Sequence, residues 1–487
     1  MVRTRFAPSP TGSVHIGNLR TALYGYALAK RHEGKFVLRI EDTDKNREVK
    51  DGITNIVETL KEFGIGYDEG PVVGGPHKPY VQSEKLEVYK EKAEYLISKG
   101  YAYYCFCSQE RLDKIRKEQQ KQKKQPRYDR KCLNLDIEES RKRIKDGEKY
   151  VIRLKMPSDR KLEIEDKVIG KIKWDSNGID DQVLIKSDGY PSYHLGVVVD
   201  DVAMKITHIT RGFEWLASVP KHIILFEAFN YKIPVMAHMP LILDPEGGKL
   251  SKRKGNVSAE GFLKEGYLPE ALLNFIMLLG WAPDDDREIF SLKEFTREFS
   301  LEGLNKSNPV FDRKKLLWFN GEYIRKLSKK DLTKKVLKWV EKYYEDEEIR
   351  KHLVSDDELI HKLELIQERI SLLSEIPDSL EFFYKLLPTP DPSSLKGVKR
   401  YEDHREVMKD YAEIIQGCED DSGKWKHENW EKDIRSLADK YDWKHGDMFM
   451  MVRLVMCGSP VSPPLYESMV ILGKEEILAR LNGSITL

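Results

Sequence analysis

Cysteine is scarce, with five residues in a chain of 487. That is too few for a disulfide scaffold, and the usage suits a reducing cytoplasm. Long apolar runs are missing as well. The longest candidate, ALLNFIMLLGWA (Ala271 to Ala282), is broken by Asn274 and falls short of the roughly 20 residues that span a bilayer. Neither sign of charge dominates: 82 basic residues face 81 acidic ones, for a formal net charge of +1. Such a balance does not advertise a nucleic-acid binder, although clustering on one face matters more than the total. Strand-like sequence starts at Val2, which is read as leaving no room for a signal or transit peptide.

What is there describes a soluble globular protein with a heavily charged surface: 40% hydrophobic, 33% charged, mean hydropathy −0.56. At roughly 150 residues per domain, the length suggests about three domains. The segment Val2 to Ala7 reads as a strand and runs into PSPTGSVHIGN, Pro8 to Asn18. From Leu19 the apolar positions Leu19, Ala22, Leu23, Tyr26 and Ala27 follow helical spacing. Gly34 is expected to stop that helix, and KFVLRI from Lys35 reads as the next strand. In such a strand–turn–helix–strand unit, ligands collect at the carboxyl ends of the strands, where helix N–H groups point outward. Pro8 and Pro10 stiffen the turn, while Gly12 and Gly17 let a ligand approach the backbone. His15 is placed to donate to a phosphate oxygen. A lone histidine would ordinarily be incidental, but here it is bracketed by glycines in the turn. A second stretch, GGKLSKRKGN (Gly247 to Asn256), packs Lys249, Lys252, Arg253 and Lys254 around Ser251. Alone it would be a solvated basic loop.

Together the two stretches resemble the paired signatures of class I aminoacyl-tRNA synthetases, in the glutamyl-tRNA synthetase branch. RIEDTD (Arg39 to Asp44), KSDGYPSYHLGVVVDD (Lys186 to Asp201), ITRGFEWLASVPKH (Ile209 to His222), HMPLILDPEGGKLSKRKG and VFDRKKLLWFNGEYIR (Val310 to Arg325) agree, so the resemblance covers essentially the whole chain. It implies an α/β N-terminal half, a Rossmann-like parallel sheet interrupted by an inserted acceptor-binding domain, and an all-α anticodon-binding C-terminal half. The corresponding boundaries are 1–95 and 186–240 for the catalytic domain, 96–185 for the insertion and 241–325 for a stem-contact region carrying KLSKR. Two helical bundles, 326–388 and 389–487, would follow, with TPDPSS (Thr389 to Ser394) as their joint.

The implied reaction has two steps. The glutamate α-carboxylate attacks the α-phosphorus of ATP, giving glutamyl-adenylate and pyrophosphate; a 3′-terminal ribose hydroxyl of tRNA then takes the acyl group. By resemblance, ATP with Mg²⁺ falls to Pro8, His15, Gly17, Asn18, Glu214, Trp215, Lys249, Ser251, Lys252 and Arg253. His15, Lys249 and Lys252 are the catalytic set. Glutamate falls to Arg5, Ala7, Ser9, Glu41, Tyr193 and Arg211, with Glu41 on the ammonium and the two arginines on the side-chain carboxylate. Without the motif context, Arg5 and Glu41 would be ordinary strand-end charges. Val197 stands where relatives often have asparagine and is left off the contact set.

Cys105 and Cys107, followed by Tyr128 and Cys132, gather three of the five cysteines in the insertion and form a candidate zinc site. Asn134 stands where many relatives have a ligand histidine; the alternative is a vestigial site of free thiols. The basic run Arg116 to Arg127 reads as a solvated helix, or as a contact for the acceptor stem. Arg369 and Arg453 are candidates for anticodon bases, or else surface partners on their helices. The implied partners are L-glutamate and tRNA-Glu, with no membrane, and the implied state is a cytoplasmic monomer. A non-discriminating form that also charges tRNA-Gln, a non-catalytic tRNA-binding homologue and a small-molecule nucleotidyltransferase are the alternatives.

Overall fold

The computed structural model describes residues 1–44, 49–250, 256–385, 403–418 and 426–485. Ser251, Lys252, Arg253 and the expected joint at TPDPSS therefore lie outside the described residues. The chain divides into two compact units, 1–262 with 272–313 and 263–271 with 314–487. The stretch expected as one stem-contact region, 241–325, is thus shared between them.

The first unit opens with strand β1 (Arg3–Phe6), helix α1 (Ile16–Arg31) and strand β2 (Lys35–Leu38). The two strands pair in parallel, Arg3 against Lys35 and Phe6 against Leu38. Leu19, Ala22, Leu23 and Ala27 are buried, as the helical spacing requires, while Tyr26 is half-buried. The helix stop differs from the expectation. Glu33 takes the left-handed conformation (φ 49°) that glycine was expected to supply. Its amide bonds to the Lys30 carbonyl at 3.2 Å and that of Gly34 to Ala29 at 2.8 Å, closing the last turn. Gly34 is needed for another reason: a Cβ there would lie 2.1 Å from the Val2 carbonyl oxygen. The substitution Gly34→Ala is expected to cost about 1–3 kcal/mol, as overpacking does. Chemical denaturation checks it, and unchanged stability would mean that β1 can shift without cost.

Helices α2 (Gly52–Glu62) and α3 (Leu86–Ser98) precede a segment of different character. Strand β3 (Ala102–Cys105), helices α4 (Gln109–Lys121) and α5 (Ile137–Lys145), and strands β4 (Val151–Leu154), β5 (Lys161–Asp166), β6 (Gly170–Asp175) and β7 (Val183–Ile185) follow in order. Here β3, β4 and β7 make an antiparallel sheet and β5 with β6 a hairpin. No residue of α4 is buried, which fits its run of lysine and glutamine. The chain then returns through α6 (Tyr193–Ala203), β8 (His208–Gly212), α7 (Val219–Ala228) and β9 (Val235–Met239). Strands β8 and β9 are parallel, and the Thr207 amide donates to the Arg3 carbonyl at 3.0 Å. That bond sets the second strand–helix–strand unit alongside β1, so β1 and β8 release their side chains at one edge.

The second unit is helical. One core gathers Leu268, Ile324, Val336, Leu353 and Leu363; Trp339 Nε1 donates to the Leu263 carbonyl at 2.8 Å and the Leu268 amide to Asn320 Oδ1 at 2.8 Å. These bonds explain why 263–271 belongs with the helices rather than with the strands. A separate core, rich in methionine, forms around Tyr411, Trp430, Met451 and Met469. No described helix is long and apolar enough to cross a membrane.

Candidate active site

The turn after β1 is held by its own backbone. The Pro8 carbonyl accepts the Glu41 amide at 3.0 Å, tying the turn to the segment after β2. Gly12 sits at φ 125°, where a side chain would be strained. His15 caps α1, its Nδ1 accepting the Gly17 amide at 3.0 Å. The neutral ring then carries its proton on Nε2, which suits the donor role expected of it. The same bond takes up the Gly17 N–H.

These residues surround a cavity of about 430 Å³. The turn contributes Pro8, Ser9, His15, Gly17 and Asn18, and β1 with its exit contributes Arg5 and Ala7. Glu41, Tyr193 on α6 and Arg211 on β8 form a second group on its wall. Glu214, Trp215 and Lys249 complete the expected set among the described residues. Lys249 Nζ reaches Glu214 at 3.2 Å, and the Trp215 ring lies over Tyr193 with centroids 4.2 Å apart. Val197, left off the contact set, lines the cavity too, as do Arg20, Thr21 and Thr210, which sequence reading passed over.

Charge is distributed unevenly around this wall. Arg39, fully buried, donates to Glu41 at 3.3 and 3.0 Å and to Asp201 at 2.8 Å. Arg5 shares Asp201 at 3.2 Å, so its charge is already compensated. Asp200 takes Lys85 at 2.7 Å, Gln82 at 2.8 Å and the Tyr89 hydroxyl at 2.9 Å. Burial would raise the Asp201 carboxyl, but Arg5 and Arg39 outweigh it and hold it below the usual range. Burial wins at Glu41, which stays above the usual range despite Arg39 and Arg5.

Arg211 is different. Its Nε donates to His238 Nε2 at 3.0 Å, and its Nη1 faces the Tyr193 hydroxyl at 3.2 Å and His222 Nδ1 at 3.4 Å. All three acceptors are neutral groups. Its Nη2 is buried without a hydrogen-bond partner. Burial loosens the guanidinium's hold on its proton; Tyr193 opposes this and Arg5 adds to it. A buried cation with an unsatisfied N–H₂, on the wall of a cavity, calls for a carboxylate.

In the insertion, the sulfurs of Cys105, Cys107 and Cys132 lie within 4.8 Å of one another. The Tyr128 hydroxyl stands among them, 3.3 Å from Cys105 and 3.5 Å from Cys107, whereas Asn134 is exposed. Burial pushes Cys107 up to about 11, helped by its thiol neighbours. At Cys105 burial acts the same way, but hydrogen bonding with Tyr128, the Cys107 backbone and Arg153 brings the thiol below its usual range. Three thiols around one point supply three of the four ligands of a tetrahedral zinc site, with the Tyr128 hydroxyl beside them.

In the helical unit, Arg369 Nη1 donates to the Ser462 carbonyl at 2.9 Å, and Arg453 bonds to Ser462 and to the Pro463 carbonyl. Arg369 and Ser462 line a cavity of about 640 Å³.

A parallel strand pair with a histidine-capped turn and a buried arginine defines a class that comparison with known proteins makes explicit. Residues 1–318 match the family described as tRNA synthetases class I (E and Q), catalytic domain, and residues 331–485 match the anticodon binding domain. The chain is 44% identical over 483 residues to the glutamate–tRNA ligase of Clostridium botulinum strain Hall, covering 99% of this chain and 97% of that protein. It is 41% identical to that of Finegoldia magna, covering 99% of each. A crystal structure of a glutamate–tRNA ligase from Elizabethkingia meningosepticum, in complex with its amino acid, superposes with a TM-score of 0.85 at 37% identity, covering 100% of this chain and 99% of that one. The chain belongs to the glutamate–tRNA ligase family.

Proposed function

We propose that the cavity between the Pro8–Asn18 turn and Arg211 binds ATP and L-glutamate side by side, and that the protein joins the two as glutamyl-adenylate before passing the glutamyl group to the 3′ end of tRNA-Glu. Ligation of glutamate to tRNA in translation is the work of its family. The observation that carries the finer reading is the unpartnered Nη2 of Arg211 on the wall of the cavity that His15 also lines.

Neither step needs a covalent enzyme intermediate, so the protein positions groups and stabilises developing charge. His15 donates from Nε2 to ATP phosphate oxygens. Lys249 and Lys252 neutralise the departing pyrophosphate, Lys249 exchanging Glu214 for the phosphate, with Ser251 and Arg253 beside them in the same sequence motif. Pro8, Asn18, Glu214 and Trp215 shape the nucleotide's side, and Mg²⁺ rides on the phosphates. Glu41 meets the substrate ammonium, Ser9 and Ala7 lie beside it, and Arg211 with Tyr193 receives the side-chain carboxylate. Arg5 acts from its Asp201 tether. Cys105, Cys107, Cys132 and Tyr128 would hold zinc, which would tie the ends of the insertion's loops together. Chelation followed by metal analysis is expected to release one zinc ion per chain. A stoichiometry near zero in protein purified under reducing conditions would leave the cluster as free thiols.

Arg369 and Arg453 read anticodon bases, the protein works as a cytoplasmic monomer, and tRNA-Gln is refused. The test is transfer of labelled glutamate and, separately, glutamine onto purified tRNA-Glu and tRNA-Gln with ATP and Mg²⁺. Glutamate on tRNA-Glu alone is the expected result. Glutamate on both tRNAs would make it the non-discriminating form and remove the selective role of Arg369. No charging of either would overturn the proposal.

A further inference from the structure

Arg211 is anchored from the inserted segment, not only from the strands that carry it. Asp166 ends β5 in the insertion's hairpin and reaches His238 on β9; both are buried. Oδ1 of Asp166 accepts the Val168 and Ile169 amides at 3.0 Å each and the His238 amide at 3.3 Å. Oδ2 accepts the same His238 amide at 3.2 Å and lies 2.6 Å from its ring Nδ1. A carboxylate only accepts, so the ring proton of His238 belongs on Nδ1. The other ring nitrogen, Nε2, is then a bare lone pair, and it faces Arg211 Nε at 3.0 Å. An arginine whose Nε is fixed this way can turn its remaining N–H groups in one direction only.

We propose that Asp166 and His238 are positioning residues for side-chain selectivity: Asp166 fixes the tautomer of His238, and His238 in that tautomer fixes the guanidinium of Arg211 against the substrate carboxylate. This rests on the function proposed above, in which Arg211 meets the glutamate side chain. Rigidity is what makes the site selective. A guanidinium held in place pairs with the charge of a carboxylate and stays uncompensated against a neutral amide, whereas one free to swing away escapes that penalty.

The tautomer supplies a test that simple packing does not. In Asp166→Asn the three backbone amides at Oδ1 retain the oxygen, so the new N–H₂ faces His238 Nδ1. The ring must then carry its proton on Nε2, donor against donor with Arg211 Nε. His238→Leu removes the acceptor at similar volume, while His238→Gln offers an amide oxygen that needs no tautomer. With saturating tRNA and ATP, Asp166→Asn and His238→Leu are expected to raise KM for glutamate on the order of 10- to 100-fold. The glutamate-to-glutamine ratio of kcat/KM should fall by a comparable factor while KM for ATP stays put. His238→Gln should recover most of the ratio, and adding Asp166→Asn to it should cost little more. Unchanged KM and ratio in Asp166→Asn would overturn the inference. So would a rise of the glutamate and ATP constants together with a loss of Tm, or a His238→Gln protein no better than His238→Leu. The unsubstituted enzyme in the same assay reports separately on the reaction: if it charges no glutamate, the proposed function fails first.

Discussion

An Arg211→Met enzyme is expected to lose hundreds- to thousands-fold in kcat/KM for glutamate. The buried guanidinium has only neutral hydrogen-bonding neighbours and an unpartnered Nη2, so its loss leaves the substrate carboxylate without that partner. Removing one partner of a buried charge pair leaves the other stranded at a cost of about 3–5 kcal/mol. Glutamine carries no side-chain charge to strand and should lose far less, so the preference between the two amino acids collapses toward unity. Arg211→Lys is expected to do little better, because an ammonium cannot hold His238 and Tyr193 while facing a ligand. Arg5→Met should behave differently: it leaves the buried Asp201 to Arg39 alone and shows first as lost stability. Steady-state kinetics with both amino acids, beside Tm, separate these outcomes. A loss of less than tenfold for Arg211→Met would remove that residue from the carboxylate site.

Acid should weaken the first unit well before its carboxylates titrate. His222 and His238 are 1% and 0% exposed, and burial, their largest influence, holds both below the ordinary value of about 6.5. Arg211 presses each further down, while at His238 Asp166 partly resists. In the unfolded chain both take up protons near pH 6.5; in the folded one they refuse them. The unfolded state therefore binds more protons as pH falls, and stability drops with it by about 1.4 kcal/mol per pH unit for each histidine. The fall should be steeper for His222, which is held well below its ordinary value, than for His238, where Asp166 resists. Urea unfolding at stepped pH measures this, and His222→Asn should flatten the slope by one histidine's share. A stability unchanged between pH 7 and 5 would show that these rings are protonated in the fold.

The opening strand, turn and helix were legible because their evidence is local. Five apolar positions at helical spacing place α1, and two prolines with two glycines mark a turn built for a ligand. Local evidence also erred locally: Gly34 reads as a helix stop, yet Glu33 makes the left-handed turn and Gly34 is required by the approach of Val2. The cavity's named residues came from motif resemblance, since no periodicity connects Arg5 with Arg211. What stayed hidden was the second layer. Asp166 and His238 are 72 positions apart and Arg39 and Asp201 162 apart, and sequence does not say which distant charges will share an interior. One signal was available: VVVDD (Val197 to Asp201) closes an apolar helical run with two acids, which cannot be buried without partners. Val197, left off the contact set for its side-chain chemistry, reaches the wall through its place on α6.

Arg39 is not among the residues that line the cavity, yet through Glu41 and Asp201 it immobilises two that do, Glu41 and Arg5. Side chains of this length lose rotational freedom when fixed. Here that loss falls at folding, once in the life of the molecule, and is not repeated at each arrival of substrate. The disorder surrendered on binding is then chiefly the amino acid's own, so a small, weakly hydrophobic ligand can be captured by few contacts.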